Sequence, residues 1–207
     1  MILYSSTASP FGRKIKLAAY VLGLIDEISV RPTDTMDPKD EIRKINPLGK
    51  IPSLIVGKTA LYDSRVIIEY LDNRAGGGRI IPAAGIDRYA CLTAAAKMDG
   101  IIDAALLMVY EGRFRPKEMR VDRFVDWQCD KIIRALKSIE PAPYAGGALP
   151  DVADIGLACA LDYLDFRKPL YWRDHAPALA DWLAGFAASV AGYEETKPVD
   201  SRSAPAQ

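Results

Sequence analysis

Short apolar runs and one amphipathic segment alternate over the first thirty residues, the pattern of a small mixed sheet. Apolar residues over 1–4 and alternating residues over 27–31 predict two strands, and apolar residues at helical spacing predict a helix between them. Ser9 suits the N-cap of this helix, Pro10 suits its first position and Gly23 ends it. A strand, a helix and a strand predict a parallel pair joined by a right-handed crossover.

The pattern then predicts a short helix, a loop, a hairpin and a further helix. The short helix covers 37–45, and strands at 53–56 and 59–62 flank a Gly-Lys dipeptide that is typical of an antiparallel hairpin. The further helix begins at 63–64, where either the aspartate or the serine can cap it. The order βαβ, α, ββα is the thioredoxin-like arrangement, so the fold class predicted for this half is α/β.

Strand alternation stops at residue 86 and helical spacing takes over. One long helix is predicted over 86–112 and a second over 118–139, with Pro116 between them. Two more helices are predicted over 151–166 and 176–190, the first with an acidic variant of the capping box. This half is therefore predicted to be an all-α helical bundle.

The glycine-rich stretch between the halves predicts a domain boundary. We predict a thioredoxin-like domain over 1–76, a linker over 77–85 and an all-helical domain over 86–207. A loop is expected over 141–147. The tail from Thr196 is expected to pack irregularly or fray.

Composition excludes several classes of function. The 207 residues carry 27 Lys and Arg against 27 Asp and Glu, so no basic field attracts nucleic acid or anionic membrane. No apolar run is long enough to span a membrane and no signal-peptide pattern opens the chain, so we expect a cytoplasmic location. The three cysteines are widely spaced, which argues against a disulfide framework or zinc site, and we expect no metal.

The most informative stretch is the loop Asn46-Pro-Leu-Gly-Lys-Ile-Pro52. Proline at the start of a strand removes a backbone donor. A cis peptide bond between Ile51 and Pro52 would leave the backbone of Ile51 free to pair with a ligand. An ordinary loop with trans prolines is the alternative, since only about 5–6% of such bonds in folded proteins are cis.

From Met1 to about Pro198 the chain resembles the cytosolic glutathione transferases, of a bacterial type with serine or cysteine at the start of the first helix. The resemblance rests on the serine-led turn into that helix, on the loop at 46–52 and on the acidic-Ser pair at 63–64. Of these, the loop is the most specific. The family places a thioredoxin-like domain before a helical domain, and the same order is predicted here.

The resemblance implies that glutathione is the co-substrate. The Ser64 hydroxyl and the helix start would hold its γ-glutamyl carboxylate, and Asp63 or a neighbouring acid its ammonium group. Ile51 would pair with the cysteinyl backbone, and Lys50 would reach the glycyl carboxylate. The implied glutathione-binding residues are Phe11, Lys50, Ile51, Pro52, Asp63, Ser64 and Arg65.

Ionisation of the glutathione thiol needs a hydroxyl that donates to sulfur near a helix N-terminus. Ser9 stands where related classes carry a catalytic cysteine or serine, and a plain N-cap role uses the same placement. Ser5 and Ser6 are the alternatives, and Tyr4 is a further one within the strand. Ser9 and Gly12 occupy the positions of the two cysteines of a redox centre, so a disulfide reductase is disfavoured.

The implied function is a glutathione S-transferase of a detoxifying kind, acting on a small hydrophobic electrophile or reducing a peroxide. The second substrate is expected between the domains, against Phe11, Tyr110 and Arg113. A homodimer is expected from the resemblance, through the helix after Asp63 and the first long helix. The alternative is a binding or regulatory protein that keeps the fold without turnover.

Overall fold

The computed structural model describes residues 1–141, 144 and 146–199. A four-stranded sheet forms the first half, and its strands lie in the order β2-β1-β3-β4. These strands are β1 (Ile2–Ser5), β2 (Ser29–Pro32), β3 (Ser53–Val56) and β4 (Thr59–Leu61). β1 pairs with β2 in parallel and with β3 antiparallel, and β3 pairs with β4 antiparallel. The predicted parallel pair and hairpin are both present.

Three helices accompany the sheet, namely α1 (Pro10–Leu22), α2 (Ile42–Ile45) and α3 (Ser64–Arg74). α1 and α3 pack together, and their apolar side chains share one core with the central strands. That core is fully closed to solvent at Leu3, Ile15, Leu54, Ile67 and Leu71. The predicted thioredoxin-like arrangement is confirmed.

The regular elements described in the second half are all helical, and the α-helices are α4 (Gly85–Phe114), α5 (Asp122–Lys137), α6 (Val152–Arg167) and α7 (Ala178–Ser189). α6 lies between α1 and α4. Gly156 of α6 approaches α4 so closely that an added Cβ would stand 3.0 Å from the Cβ of Met98. The all-helical second half is therefore as predicted. None of the helices in the described ranges has both the length and the apolar character needed to cross a membrane.

The predicted helix over 37–45 is reduced to its last four residues. Asp40 accepts hydrogen bonds from the backbone N–H groups of Asp34 and Ile42, each at 2.8 Å. Asp37 accepts one from the N–H of Lys39, also at 2.8 Å. These local side-chain bonds satisfy donors that a helix would otherwise use. The aspartates therefore favour turns, and α2 begins only after them.

Two further element starts differ from the predictions. The first residue of the strand predicted over 27–31 ends a 3-10 turn at Ile25–Glu27, and the strand itself begins at Ser29. The helix predicted from Glu118 begins at Asp122 instead. The N–H of Val121 donates to the Glu111 carboxylate of α4 at 3.0 Å, which fixes the residue before α5. A tertiary contact thus determines where α5 starts.

Two predictions fall partly outside the described residues. The loop expected over 141–147 includes residues 142, 143 and 145, and the tail expected from Thr196 includes 200–207. Within the described part of the tail, residues 197–199 have no regular secondary structure.

Two buried ion pairs join the halves. Arg13 of α1 pairs with Asp162 of α6, and the next residue, Lys14, pairs with Asp99 of α4. The side chains of both cations are 1% exposed. An ion removed from water loses several kcal/mol of solvation, which only a well-placed partner recovers. These pairs therefore require that α1, α4 and α6 meet in one arrangement.

The predicted capping box at the start of α6 is present and consists of two carboxylates. Asp151 accepts from the N–H groups of Ala153 and Asp154, at 2.7 and 2.9 Å, and Asp154 accepts from the N–H of Asp151 at 3.2 Å. Burial, followed by the charge of Asp151, raises the pKa of Asp154 to about 6. The folded state therefore binds a proton at Asp154 more tightly than the unfolded state does.

Asp154→Asn is expected to stabilise the protein at neutral pH. Unfolded Asp154 ionises near pH 4 and the folded residue near pH 6, so between these values the folded state holds the extra proton. The free energy of unfolding therefore falls as pH rises through this window. Asn removes that loss, worth about 2–3 kcal/mol at about pH 7.5. Urea unfolding at about pH 7.5 and about pH 5 measures it.

The amide keeps an acceptor for the N–H of Asp151, so the cap itself survives in this variant. Asp26→Asn, at an exposed aspartate, serves as the control and should change stability little at either pH. Equal stabilisation by Asp154→Asn at both pH values would contradict the expected protonation of Asp154.

Candidate active site

A cavity of about 340 Å³ lies where the sheet half meets α4. Its walls come from the start of α1, the loop before β3, the start of α3 and one face of α4. The lining residues are Phe11, Asn46, Leu48, Lys50, Ile51, Pro52, Tyr62, Asp63, Ser64, Arg65, Ala96, Asp99, Gly100 and Asp103. All seven residues predicted to bind glutathione are among them.

Asn46 holds the loop in shape. Its side-chain amide donates to the carbonyl oxygen of Lys50 at 3.0 Å and to the Ser53 hydroxyl at 3.3 Å, and its oxygen accepts from the N–H of Leu48 at 3.0 Å. Asn46 is 2% exposed, so these bonds form away from water. The peptide bond between Ile51 and Pro52 is cis. The loop is thereby closed on itself beside the cavity.

The start of α3 offers a hydroxyl and an ion pair. Asp63 caps the helix by accepting from the N–H of Arg65 at 3.0 Å, and the Arg65 guanidinium binds the same carboxylate at 2.6 Å. That guanidinium lowers the pKa of Asp63, so the carboxylate stays ionised. Ser64 is buried at the first helical position and lines the cavity. A carboxylate ligand would meet this hydroxyl at a helix N-terminus, which favours anions.

The opposite wall is acidic. Asp99 and Asp103 are one turn apart on α4, and both line the cavity. Asp99 is already neutralised by Lys14, whose Nζ also stands 5.8 Å from the ring centroid of Phe11. Partial removal from water, and next the nearby Asp99 carboxylate, raise the pKa of Asp103. A ligand ammonium group would relieve this repulsion.

Ser9 has the geometry of an N-cap, and its hydroxyl hydrogen remains available for donation. Its oxygen accepts from the N–H of Gly12 at 3.1 Å. A hydroxyl that accepts in this way keeps its own hydrogen for another acceptor. Ser9 is half-buried and precedes the lining residue Phe11 by two positions, but it is not itself among the lining residues.

The alternatives to Ser9 differ in access. Ser5 is fully buried beneath Gly12, where an added Cβ would stand 2.0 Å from the serine oxygen. Tyr4 is buried, and its hydroxyl accepts from Arg31 at 3.1 Å. Ser6 is half-buried. Of the three, Ser6 is therefore the residue whose side chain is most accessible.

Tyr110 and Arg113 do not line this cavity. Both lie on α4 beyond Asp103, the last cavity-lining residue of that helix. Tyr110 is about two turns further, roughly 10 Å along the helix, and Arg113 about one turn beyond it. The Arg113 guanidinium lies 5.3 Å from the ring centroid of Tyr110, which in turn contacts Phe114 edge-on. Only Phe11, of the three residues predicted for the second substrate, reaches the cavity.

The sequence-based prediction missed the acidic wall that α4 contributes to the cavity, and the lysine of α1 that pairs with it. Lys14, Asp99 and Asp103 were not assigned to the site. The sequence did contain a pattern that could have indicated this wall: the two aspartates stand four residues apart in a segment rich in alanine and isoleucine. Charged residues at helical spacing in such a segment need partners.

A second cavity of about 380 Å³ lies in the helical half, against Tyr144, Asp154 and Trp182. Its described lining residues include two acids, Glu140 and Asp154, and no lysine or arginine. A ligand with two carboxylates would therefore meet no cation among them. The cavity beside Pro52 is therefore the better candidate site.

Comparison with known proteins agrees with this choice. The N-terminal domain model of glutathione S-transferases matches residues 3–79, and the C-terminal domain model matches residues 101–185. The GST-like protein YibF of Escherichia coli (strain K12) is 30% identical over 172 residues, 81% of this chain and 84% of that protein. The chain belongs to the glutathione S-transferase family.

Solved structures of the family extend the comparison. A glutathione transferase family member from Pseudomonas fluorescens Pf-5 with bound glutathione has a TM-score of 0.87 and 37% identity, covering 96% of this chain and 99% of that one. A structure with bound S-(propanoic acid)-glutathione from the same source has a TM-score of 0.85 and 38% identity, covering 97% and 100%.

The charges of the transferase cavity suit a zwitterionic peptide. Lys50 and Arg65 stand on the loop and α3 side, and Asp99 and Asp103 on the α4 side. A ligand with separated carboxylates and one ammonium group can pair with both sides at once. The arrangement can therefore bind and orient such a peptide beside the start of α1.

Asn46→Ala is expected to lower the free energy of unfolding by about 1–3 kcal/mol. The substitution removes the buried bond to the Ser53 hydroxyl, and it leaves the part-buried carbonyl of Lys50 and N–H of Leu48 without their partner. Urea unfolding measures the loss. Asn73→Ala, at an exposed asparagine of α3, is the control and should fall within about 0.5 kcal/mol of the parent chain. Equal stability of both variants would show that Asn46 does not hold the loop.

Proposed function

We propose that this protein is an active glutathione transferase, which binds glutathione in the cavity beside Pro52 and ionises its thiol for attack on a small hydrophobic electrophile. The observation that carries the proposal is the meeting of the 46–52 loop, the start of α3 and the start of α1 at one cavity. A family member of 37% identity with bound glutathione supports it.

The proposed binding mode uses each wall for one group of the peptide. The γ-glutamyl carboxylate is bound by the Ser64 hydroxyl and the N-terminus of α3. Asp63 is already paired with Arg65. The ammonium group of the peptide is therefore assigned to Asp103, which lines the same cavity. The cysteinyl backbone pairs with Ile51, and Lys50 binds the glycyl carboxylate. Two charged ends held in this way orient the thiol toward α1.

Ser9 is proposed to donate its hydrogen to the thiolate. A free thiol has a pKa of about 8.5, so ionisation at neutral pH needs a shift of one to two units, roughly 1.4–2.7 kcal/mol. A hydrogen bond to a charged group contributes about 1.5–3 kcal/mol, and the N-terminus of α1 adds to it. The sulfur then attacks the electrophilic carbon, and the leaving group departs with its bonding electrons.

The second substrate is proposed to enter against Phe11, with Tyr110 and Arg113 further along α4. The S-(propanoic acid)-glutathione held by a relative indicates that a pocket of this kind accommodates a group on sulfur. We also propose peroxide reduction as a side activity: the thiolate attacks one peroxide oxygen and releases an alcohol, and a second glutathione converts the resulting sulfenic acid to the disulfide and water. We propose a cytoplasmic, detoxifying role on this basis.

A homodimer is proposed through α3 and α4. Val66, Ile86 and Tyr89 are 47%, 79% and 66% exposed on these helices. Apolar side chains that are left in water on adjacent helices favour burial against another surface. Sedimentation of the purified chain tests the proposal, and a monomer at all concentrations would refute it.

Ser9→Ala is expected to raise the pKa of the bound glutathione thiol by about one unit and so to lower kcat by up to about tenfold, the limit reached at pH values below the thiol pKa. Glutathione affinity should change by less than about threefold, since the carboxylates are bound elsewhere. Thiolate absorbance against pH and steady-state kinetics with an aryl halide measure these effects. Ser9→Thr keeps both the cap and the hydroxyl and serves as the control.

Other outcomes decide between the candidates. A raised thiol pKa in Ser6→Ala with none in Ser9→Ala would assign the hydroxyl to Ser6. Retention on immobilised glutathione without turnover of an aryl halide or a hydroperoxide would favour a non-catalytic binding protein. No retention would refute the proposed site.

A further inference from the structure

The last described residues return to the start of α1. We call Gly192–Val199 the C-terminal strap. It follows α7 and lies along α1 in the reverse direction, with Gly192 against Tyr20 and Val199 against Thr7. Thr7 belongs to the turn between β1 and α1, two residues before Ser9. The strap therefore connects the end of the described chain to the turn that carries the candidate hydroxyls.

The strap begins with a contact that only glycine permits. Gly192 has a φ of 81°, a conformation that other residues rarely adopt. A Cβ at this position would stand 2.2 Å from Cγ of Tyr20. The backbone of the strap thus packs directly on the ring of an α1 side chain.

Arg13 forms hydrogen bonds to the middle of the strap. Its guanidinium donates to the carbonyl oxygen of Tyr193 at 3.2 Å and to the Thr196 hydroxyl at 3.4 Å. The Tyr193 hydroxyl donates at 3.0 Å to Asp162, the carboxylate with which Arg13 is paired. Arg13, Tyr193 and Thr196 are all 3% exposed or less. A charge-assisted network this deeply buried has few alternative arrangements.

The end of the strap is tied to the turn itself. The Thr7 hydroxyl donates to the carbonyl oxygen of Val199 at 2.8 Å, and the N–H of Val199 donates to the carbonyl oxygen of Thr7 at 3.4 Å. The turn is closed internally by a bond of 3.3 Å from the N–H of Ser9 to the carbonyl oxygen of Ser6. Its outer side is therefore held by the strap.

We propose that the C-terminal strap is a positioning element of the glutathione site, which fixes the turn at 6–9 so that its hydroxyl points at the sulfur. The inference rests on the proposed function. Thr7 is the positioning residue, since it joins the strap to the turn and touches no ligand group. A hydroxyl stabilises a thiolate only within hydrogen-bond distance, so a loosened turn weakens ionisation.

The location of the strap separates this role from binding. No residue of Gly192–Val199 lines the cavity, and the groups proposed to bind the carboxylates lie on the loop and on α3. A weakened strap should therefore change thiol ionisation and kcat while it leaves glutathione affinity nearly unchanged. A merely structural contact would lower stability without that selectivity.

The test compares Thr7→Val with Thr7→Ser in the full chain. Thr7 is exposed, so neither substitution disturbs the core. Val removes the hydroxyl bond to Val199, keeps the longer backbone bond, and should raise the thiol pKa of bound glutathione by about half a unit, with about threefold lower kcat below that pKa. Amide hydrogen exchange over 6–12 should quicken about fivefold. Ser keeps the donor and should restore all three values.

Thr196→Val with Thr196→Ser tests the strap from its buried side, with the same readouts. An unchanged thiol pKa in Thr7→Val, in a chain that binds glutathione, would overturn the inference. Unchanged amide exchange over 6–12 would overturn it whether or not glutathione binds. Failure of the parent chain to bind glutathione would instead refute the proposed function, so the two failures are distinguishable.

Discussion

The pairing of Arg13 with Asp162 and of Lys14 with Asp99 determines how the two halves meet. Successive helical residues point about 100° apart, so adjacent cations of α1 reach different helices of the second half. Either cation left unpaired would be a buried charge, at a cost of several kcal/mol. One wall of the cavity belongs to α4 and the others to the sheet half. The ion pairs thus set the separation of the groups that are proposed to bind one ligand.

The parts of the site that could be predicted depend on local chemistry. The loop at 46–52 and the N-cap at Asp63 are specified by residues within a few positions of one another, through turns, caps and a proline. The hairpin and the capping box of α6 are of the same kind. Short-range rules suffice for such features, and the resemblance to the family assigned glutathione-binding roles to residues of the loop and of the α3 start.

The missed parts depend on contacts between distant segments. Lys14 and Asp99 are 85 positions apart, and the strap reaches Thr7 from 192 positions away. The pattern of α1 places Arg13 and Lys14 between apolar positions and contains no sign that both are buried. Their partners become visible only when α4 and α6 are packed. The start of α5 was misplaced for the same reason, because Glu111 of α4 holds Val121.

The charge pairing also bears on the proposed ionisation of the glutathione thiol. Arg65 is neutralised by Asp63 and Lys14 by Asp99. In the part of the chain that the structure describes, Lys50 is thus the cavity-lining cation without an ion pair, and its proposed partner is a carboxylate of the ligand itself. With that carboxylate bound, no net positive field would remain to favour a thiolate. In the proposed mechanism, ionisation therefore comes from oriented dipoles, a hydroxyl and the N-terminus of α1, whose effect depends on direction. That dependence is why the contacts that hold the turn matter to the proposed chemistry.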